Sequence, residues 1–122
     1  MQALVVDDSK AMRMILGRIL RDIGLDVVDA ADGSRALGLI GEGLDPDIVL
    51  VYWHMPVLTG IEFVAAVRQP PYGFAGLVML VSTETEPAQI AQALDAGADE
   101  YLLKPFDRDG LIDKLRLLGM DV

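Results

Sequence analysis

The chain has 122 residues and a formal net charge of −9 at pH 7, which suits one acidic domain that buries its own core and disfavours direct nucleic-acid binding. It has no cysteine, which excludes disulfides, zinc–thiolate sites and thiol catalysis. No apolar run approaches the ~20 residues that cross a bilayer and no basic leader precedes the first strand, so we expect a cytoplasmic protein without membrane contact.

Five short apolar runs predict β-strands, and helical periodicity follows each of them. The predicted strands are 3–6, 26–31, 48–51, 77–81 and 101–103. Ser9 and Asp107 have the side chains of helix N-caps, Pro87 suits a first helical turn, and Asp32-Gly33 is interpreted as a turn. This alternation favours one α/β domain over residues 1–122, with helices on both faces of a parallel sheet.

The central run from Ile48 to Val51 has no polar residue on either face, as is typical of a strand buried on both sides. In open α/β sheets, ligands bind at the carboxyl ends of the strands, so function is expected there. The polar residues at the predicted strand ends are Asp7, Asp8, Tyr52, His54, Ser82, Thr83 and Lys104. Any one of them could be a cap or a surface group, but together they indicate a site.

The motifs at these strand ends carry a family resemblance. Asp7-Asp8, Trp53-x-Met55-Pro56-x-x-x-Gly60, Ser82 and Lys104-Pro105-Phe106 occur in that order along the chain. The combination resembles the receiver domain of two-component response regulators, and is most similar to the single-domain type used in chemotaxis. The resemblance implies a flavodoxin-like, doubly wound (βα)5 fold with a five-stranded parallel sheet in the order 2-1-3-4-5.

The resemblance also implies a function and a set of partners. The chain is expected to be a phosphorelay signalling module rather than an enzyme, without an attached output domain, and a monomer or weak dimer. Its partner would be a signalling protein, either a histidine kinase or a downstream target. The implied contact surface is helix 4, strand 5 and helix 5, including Ile90, Tyr101 and Lys114.

In such domains an acidic pair, here Asp7 and Asp8, holds Mg²⁺ together with a carboxylate that ends strand 3. A backbone carbonyl two residues later, here that of His54, is a further ligand. The strand-3 carboxylate accepts a phosphoryl group. Ser82 and Lys104 match the hydroxyl and the amine that bind its oxygens.

Tyr101 matches the aromatic residue on strand 5 that changes rotamer with the switch. The sequence departs from the family at the acceptor, where Tyr52 stands in place of Asp. A phenol cannot form an acyl phosphate, its pKa is about 10, and nearby carboxylates disfavour its anion. We therefore expect no phosphotransfer at Tyr52, weak or absent Mg²⁺ binding, and no other cofactor. A tether from Tyr52 to Lys104 or Ser82 is expected to replace the ionic network.

Two alternatives stay open. The first is a conventional Mg²⁺-dependent regulator with a tolerated or engineered Tyr52, in which Asp7 or Asp8 accepts the phosphoryl group. The second is a flavodoxin-like domain that binds a small ligand, which Asp7-Asp8 disfavours because carboxylates repel a phosphate. His54, the only histidine, is expected to face solvent, and Trp53 is expected to pack beside the site.

Overall fold

The computed structural model describes all residues from Met1 to Val122, and it contains five strands that alternate with five helices. The elements are β1 (Gln2–Val6), α1 (Lys10–Asp22), β2 (Asp26–Ala30), α2 (Gly33–Gly41), β3 (Ile48–Tyr52), α3 (Gly60–Arg68), β4 (Leu77–Ser82), α4 (Pro87–Ala96), β5 (Glu100–Leu103) and α5 (Arg108–Leu117). All strands are parallel, in the order β2-β1-β3-β4-β5. The predicted fold class and strand order are confirmed.

The sheet separates two apolar cores. Alternate residues of β3 point to opposite faces: Val49 and Val51 join the core under α2, α3 and α4, while Ile48 and Leu50 join the core under α1 and α5. All four side chains are at most 1% exposed, which confirms β3 as a strand buried on both faces. None of the helices is long and apolar enough to span a membrane.

The helix starts follow the predicted caps with one exception. The side chains of Ser9 and Asp107 accept backbone N–H groups at the starts of α1 and α5, and Pro87 begins α4. The interpretation of Asp32-Gly33 as a turn is wrong. Asp32 is instead the N-cap of α2 and Gly33 its first residue, because the Asp32 carboxylate satisfies a free N–H in the first helical turn.

The start of α3 is pressed against the end of β3. A Cβ atom at Gly60 would lie 2.6 Å from the carbonyl oxygen of Tyr52 and 2.8 Å from the Cα of Trp53, so only glycine fits. The Gly60 N–H donates to the Trp53 carbonyl at 2.8 Å. A capping box between Thr59 and Glu62 completes the helix start. This junction holds the start of α3 close to the end of β3.

Candidate functional site

The carboxyl ends of four strands form one polar cluster at the edge of the sheet. Asp7 and Ser82 are buried there, at 1% and 0% exposed, while Tyr52 and Lys104 are half-buried. These are four of the residues predicted from the sequence, and contacts within the edge connect them. Asp8 lies beside them but is exposed. Parallel pairing brings them together, because it places all the strand C-termini on the same side of the molecule.

Lys104 is the centre of this cluster. Its Nζ lies 3.7 Å from the centroid of the Tyr52 ring, a cation–π contact, and 3.4 Å from Oδ2 of Asp7. The expected tether from Tyr52 to Lys104 is therefore present, although the Tyr52 hydroxyl makes no hydrogen bond to Lys104 or to Ser82. The ammonium contacts the face of the ring instead, where it also reaches a buried carboxylate.

Asp7 is held from both sides. Its Oδ1 accepts the N–H of Ser9 at 2.9 Å, and its Oδ2 faces Lys104. Burial raises the pKa of the Asp7 carboxyl above 3.8, while the Ser9 N–H and the Lys104 charge oppose that shift. Both oxygens of this carboxylate therefore already have partners within the protein.

Tyr52 keeps its proton at neutral pH. Burial raises the pKa of its phenol above 10.0, and the charges of Asp7 and Asp8 raise it further. The group is therefore a neutral hydroxyl beside two carboxylates. A neutral phenol is a weak nucleophile and a weak metal ligand.

His54 lies closer to the cluster than the sequence suggested. Its side chain is 41% exposed, as expected for a residue that faces solvent, and its ring stacks on Trp53 with an interplanar angle of 5°. Yet Nε2 also lies 3.3 Å from Oγ of Ser82 and 3.1 Å from Oε1 of Glu84. Sequence reasoning missed Glu84, whose only local indication was its place two residues after the end of β4.

Glu84 connects the cluster to β5. The buried Tyr101 hydroxyl donates to the Glu84 carbonyl at 2.7 Å, and the Glu84 N–H donates to Oγ of Ser82 at 3.1 Å. Burial raises the pKa of the Tyr101 phenol, so this donor stays protonated at neutral pH. A continuous path of contacts thus runs from His54 through Ser82 and Glu84 to Tyr101.

Two further features bear on the chemistry available here. No group of three or more His, Cys, Asp or Glu side chains comes together in a way that could hold a metal ion. Beside the cluster, an open cavity of about 480 Å³ lies between α4, β5 and α5 and includes Ile90, Tyr101 and Lys114 in its lining. The predicted members of the α4–β5–α5 surface are therefore neighbours.

Comparison with known proteins identifies the family. The model of the response regulator receiver domain matches residues 3–116 of the chain. The chain belongs to the response regulator receiver family. Members of this family are generally non-enzymatic signalling modules of two-component systems, which interact with kinases or with target proteins.

Relatives of this receiver domain come from chemotaxis. It is 36% identical over 116 residues to chemotaxis protein CheY of Pseudomonas aeruginosa, covering 94% of this chain and 93% of that protein. It is 33% identical over 119 residues to chemotaxis protein CheY1 of Helicobacter pylori, covering 97% and 96%. The solved structure of CheY4 of Vibrio cholerae superimposes with a TM-score of 0.88 at 34% identity, over 96% of this chain and 97% of that one.

Proposed function

We propose that this receiver domain signals through protein–protein contact without aspartyl phosphorylation, and that Tyr52 occupies the position of the phosphoacceptor. The observation that carries the proposal is the Tyr52 ring at the end of β3, with the Lys104 ammonium 3.7 Å from its centroid. Phosphorylation in this family requires a carboxylate at that point. Here an aromatic ring and its cation take up the space.

The chemistry of the phenol supports this proposal. An acyl phosphate needs a carboxylate oxygen, and Tyr52 has none. Attack by the phenol would need loss of its proton, which burial and the two nearby acidic residues disfavour. Asp7 is a poor general base for that proton, because its two oxygens already interact with Ser9 and Lys104.

The donor set does not fit the Mg²⁺ ion that the family uses. Mg²⁺ requires near-ideal octahedral coordination by oxygen, usually including one or two carboxylates. Asp7 is already bonded on both oxygens, Asp8 is exposed, and the third position is a neutral phenol. We infer weak Mg²⁺ binding at best, and we assign the ion no part in the function.

The α4–β5–α5 surface is the proposed contact region for a signalling partner. Its cavity combines apolar lining from Ile90 and Leu103 with the paired charges of Lys114 and Glu100, whose Nζ–Oε1 distance is 2.9 Å. Such a mixture of apolar and polar groups is usual where proteins meet. Because Tyr101 is buried and bonded to Glu84, we infer that the surface is held in one state.

The test is phosphorylation of the parent and of the Tyr52→Asp variant with acetyl phosphate and Mg²⁺, followed by intact-mass measurement. We expect the mass of one phosphoryl group on the variant only, and quenching of Trp53 fluorescence by Mg²⁺ in the variant only. A parent that gains the phosphoryl group contradicts the proposal. Loss of that gain in Asp7→Asn or Asp8→Asn would then support the conventional regulator.

A further inference from the structure

The α4–β5–α5 surface exposes one leucine from each of its three elements. Leu94 of α4, Leu103 of β5 and Leu117 of α5 are 45%, 42% and 75% exposed. Leu103 lines the open cavity itself. Leu94 follows the lining residue Ile90 by four positions, so it lies on the same side of α4. Leu117 follows the lining residue Lys114 by three positions, so it lies on the same side of α5. Exposed apolar residues on three neighbouring elements are typical of a surface that another protein covers.

The cations of this surface are all engaged, whereas a carboxylate is free. Asp107 lines the cavity and takes part in no ion pair. Lys114 is the only cation in the lining, and its Nζ is bound to Oε1 of Glu100 at 2.9 Å. The two arginines of α5 are bound to Asp22 and to the carbonyl oxygen of Val122. β4, α4 and β5 contain no Lys, Arg or His. A partner therefore meets negative charge here.

Two further free acids flank the apolar residues of the helices. Glu86 precedes Ile90 by four positions, and Asp113 precedes Leu117 by four positions. Both acids are exposed and neither takes part in an ion pair. The side chain of Glu86 makes no cap hydrogen bond either. Unpaired carboxylates thus lie beside the apolar residues on both helices.

The edge strand β5 is closed to the addition of another strand. The N–H of Tyr101 donates to Oε1 of Glu100 at 2.8 Å, so this donor is already occupied. Pro105, just after the strand, has no N–H. Strand addition depends on free main-chain groups along an exposed edge. A partner must therefore bind through side chains, as an amphipathic helix does when it lies in a groove.

We propose that the segment bound by the α4–β5–α5 surface is an amphipathic helix with apolar residues on one side and Lys or Arg beside them. The apolar side covers Leu103 and enters the cavity, while the cations face Asp107, Glu86 and Asp113. An acidic segment would place carboxylates against carboxylates, which disfavours it. This inference rests on the proposed function for the location of the contact, and it adds the chemistry of the partner.

The test uses two synthetic peptides of about 18 residues, which is long enough for a helix. Both carry leucine at positions i, i+3, i+4 and i+7 of each repeat, and the remaining positions are lysine in one peptide and glutamate in the other. Binding to the protein is measured by fluorescence anisotropy of the labelled peptide, without Mg²⁺ or a phosphoryl donor. The lysine peptide should bind, and should bind more weakly as salt is added. The glutamate peptide should not bind.

Matched variants separate this surface from the general attraction of a chain with a net charge of −9. Asp107→Asn removes the charge but keeps an N-cap acceptor for Gly110, and it should weaken binding of the lysine peptide about threefold. Asp32→Asn makes the same change at the N-cap of α2, where the carboxylate accepts the Arg35 N–H at 2.7 Å, and it should have no effect.

Two more variants test the apolar contact and the sign of the charge effect. Leu103→Ser should weaken binding about fivefold through lost apolar burial, whereas Met14→Ser, at an exposed position on α1, should not. Lys114→Met frees the Glu100 carboxylate, so the lysine peptide should bind about threefold more tightly.

No binding of the lysine peptide, a preference for the glutamate peptide, or equal effects of Asp107→Asn and Asp32→Asn would each overturn the inference. Binding to Lys114→Met that is no tighter than binding to the parent would overturn it as well. The proposed function would survive all of these results, because it depends on the absence of phosphorylation. A parent that gains a phosphoryl group would instead contradict the proposed function and leave the peptide preference unchanged.

Discussion

Replacing Lys104 with Met tests whether burial or distance decides the strength of an ion pair in this chain. The Lys104–Asp7 contact is longer, at 3.4 Å, but its side chains are only 15% and 2% exposed. The Lys114–Glu100 contact is shorter, at 2.9 Å, with side chains 35% and 24% exposed. Methionine keeps most of the apolar stem in both cases and removes only the charge, so Lys114→Met is the matched control.

We expect burial, rather than the length of the contact, to decide which substitution costs more unfolding free energy. Removal of one partner from a buried pair costs about 3–5 kcal/mol, because a buried charge loses its compensation. The 3.4 Å separation and the remaining Ser9 N–H place this case below that range, at about 2 kcal/mol. Loss of the cation from the Tyr52 ring adds about 1 kcal/mol. We expect Lys104→Met to cost about 3 kcal/mol in unfolding free energy and Lys114→Met about 0.5 kcal/mol.

The cost of Lys104→Met should also depend on pH. The folded-state pKa of Asp7 is raised above 3.8 by burial, and loss of the Lys104 charge raises it further. A carboxyl with a raised pKa binds more protons in the folded state, so stability falls as pH rises through the interval between the two pKa values. The difference between parent and variant should be smallest near pH 3.8 and should widen toward neutral pH.

Urea unfolding monitored by Trp53 fluorescence measures both effects. About 1 M salt should remove the small effect of Lys114→Met and leave most of the effect of Lys104→Met, since buried pairs are screened less. Equal costs for the two variants would refute the reasoning. A Lys104→Met cost that disappears in salt, or one that does not change with pH, would refute it as well.

Four further substitutions can be checked by the same unfolding measurement. Gly60→Ala should cost about 2–3 kcal/mol because the new methyl would meet the Tyr52 carbonyl at 2.6 Å, whereas Gly38→Ala in open space on α2 should stabilise by ~0.5–1 kcal/mol. Val57→Asn should stabilise the fold by about 1 kcal/mol, because Val57 is 95% exposed and has a φ of 69°, which is strained for a β-branched residue. An unchanged unfolding free energy would show that Val57 is not strained. Arg68→Lys should cost about 2 kcal/mol in unfolding free energy, because the guanidinium donates hydrogen bonds to three backbone carbonyls and one carboxylate. A cost below about 0.5 kcal/mol would contradict this prediction.

Most of the secondary structure could be predicted from local sequence patterns. The alternation of apolar runs and helical patterns predicted ten elements, and the caps at Ser9 and Asp107 act as expected because a cap depends only on residues two or three positions away. The strand order came from the family resemblance, because rhythm along the chain does not say which strands pair. Asp32 was misread because a turn and a helix start have the same local composition there.

The candidate site was also only partly predictable from the sequence. Its members were predictable, since Asp7, Tyr52, Ser82 and Lys104 each follow an apolar run and parallel strands end at one edge. The partner that each side chain takes was decided by the tertiary structure. Lys104 had several possible acceptors within reach. It contacts the face of the Tyr52 ring and the buried Asp7 carboxylate rather than the phenol hydroxyl. That outcome depends on distances and on solvent exclusion, which all five strands set together.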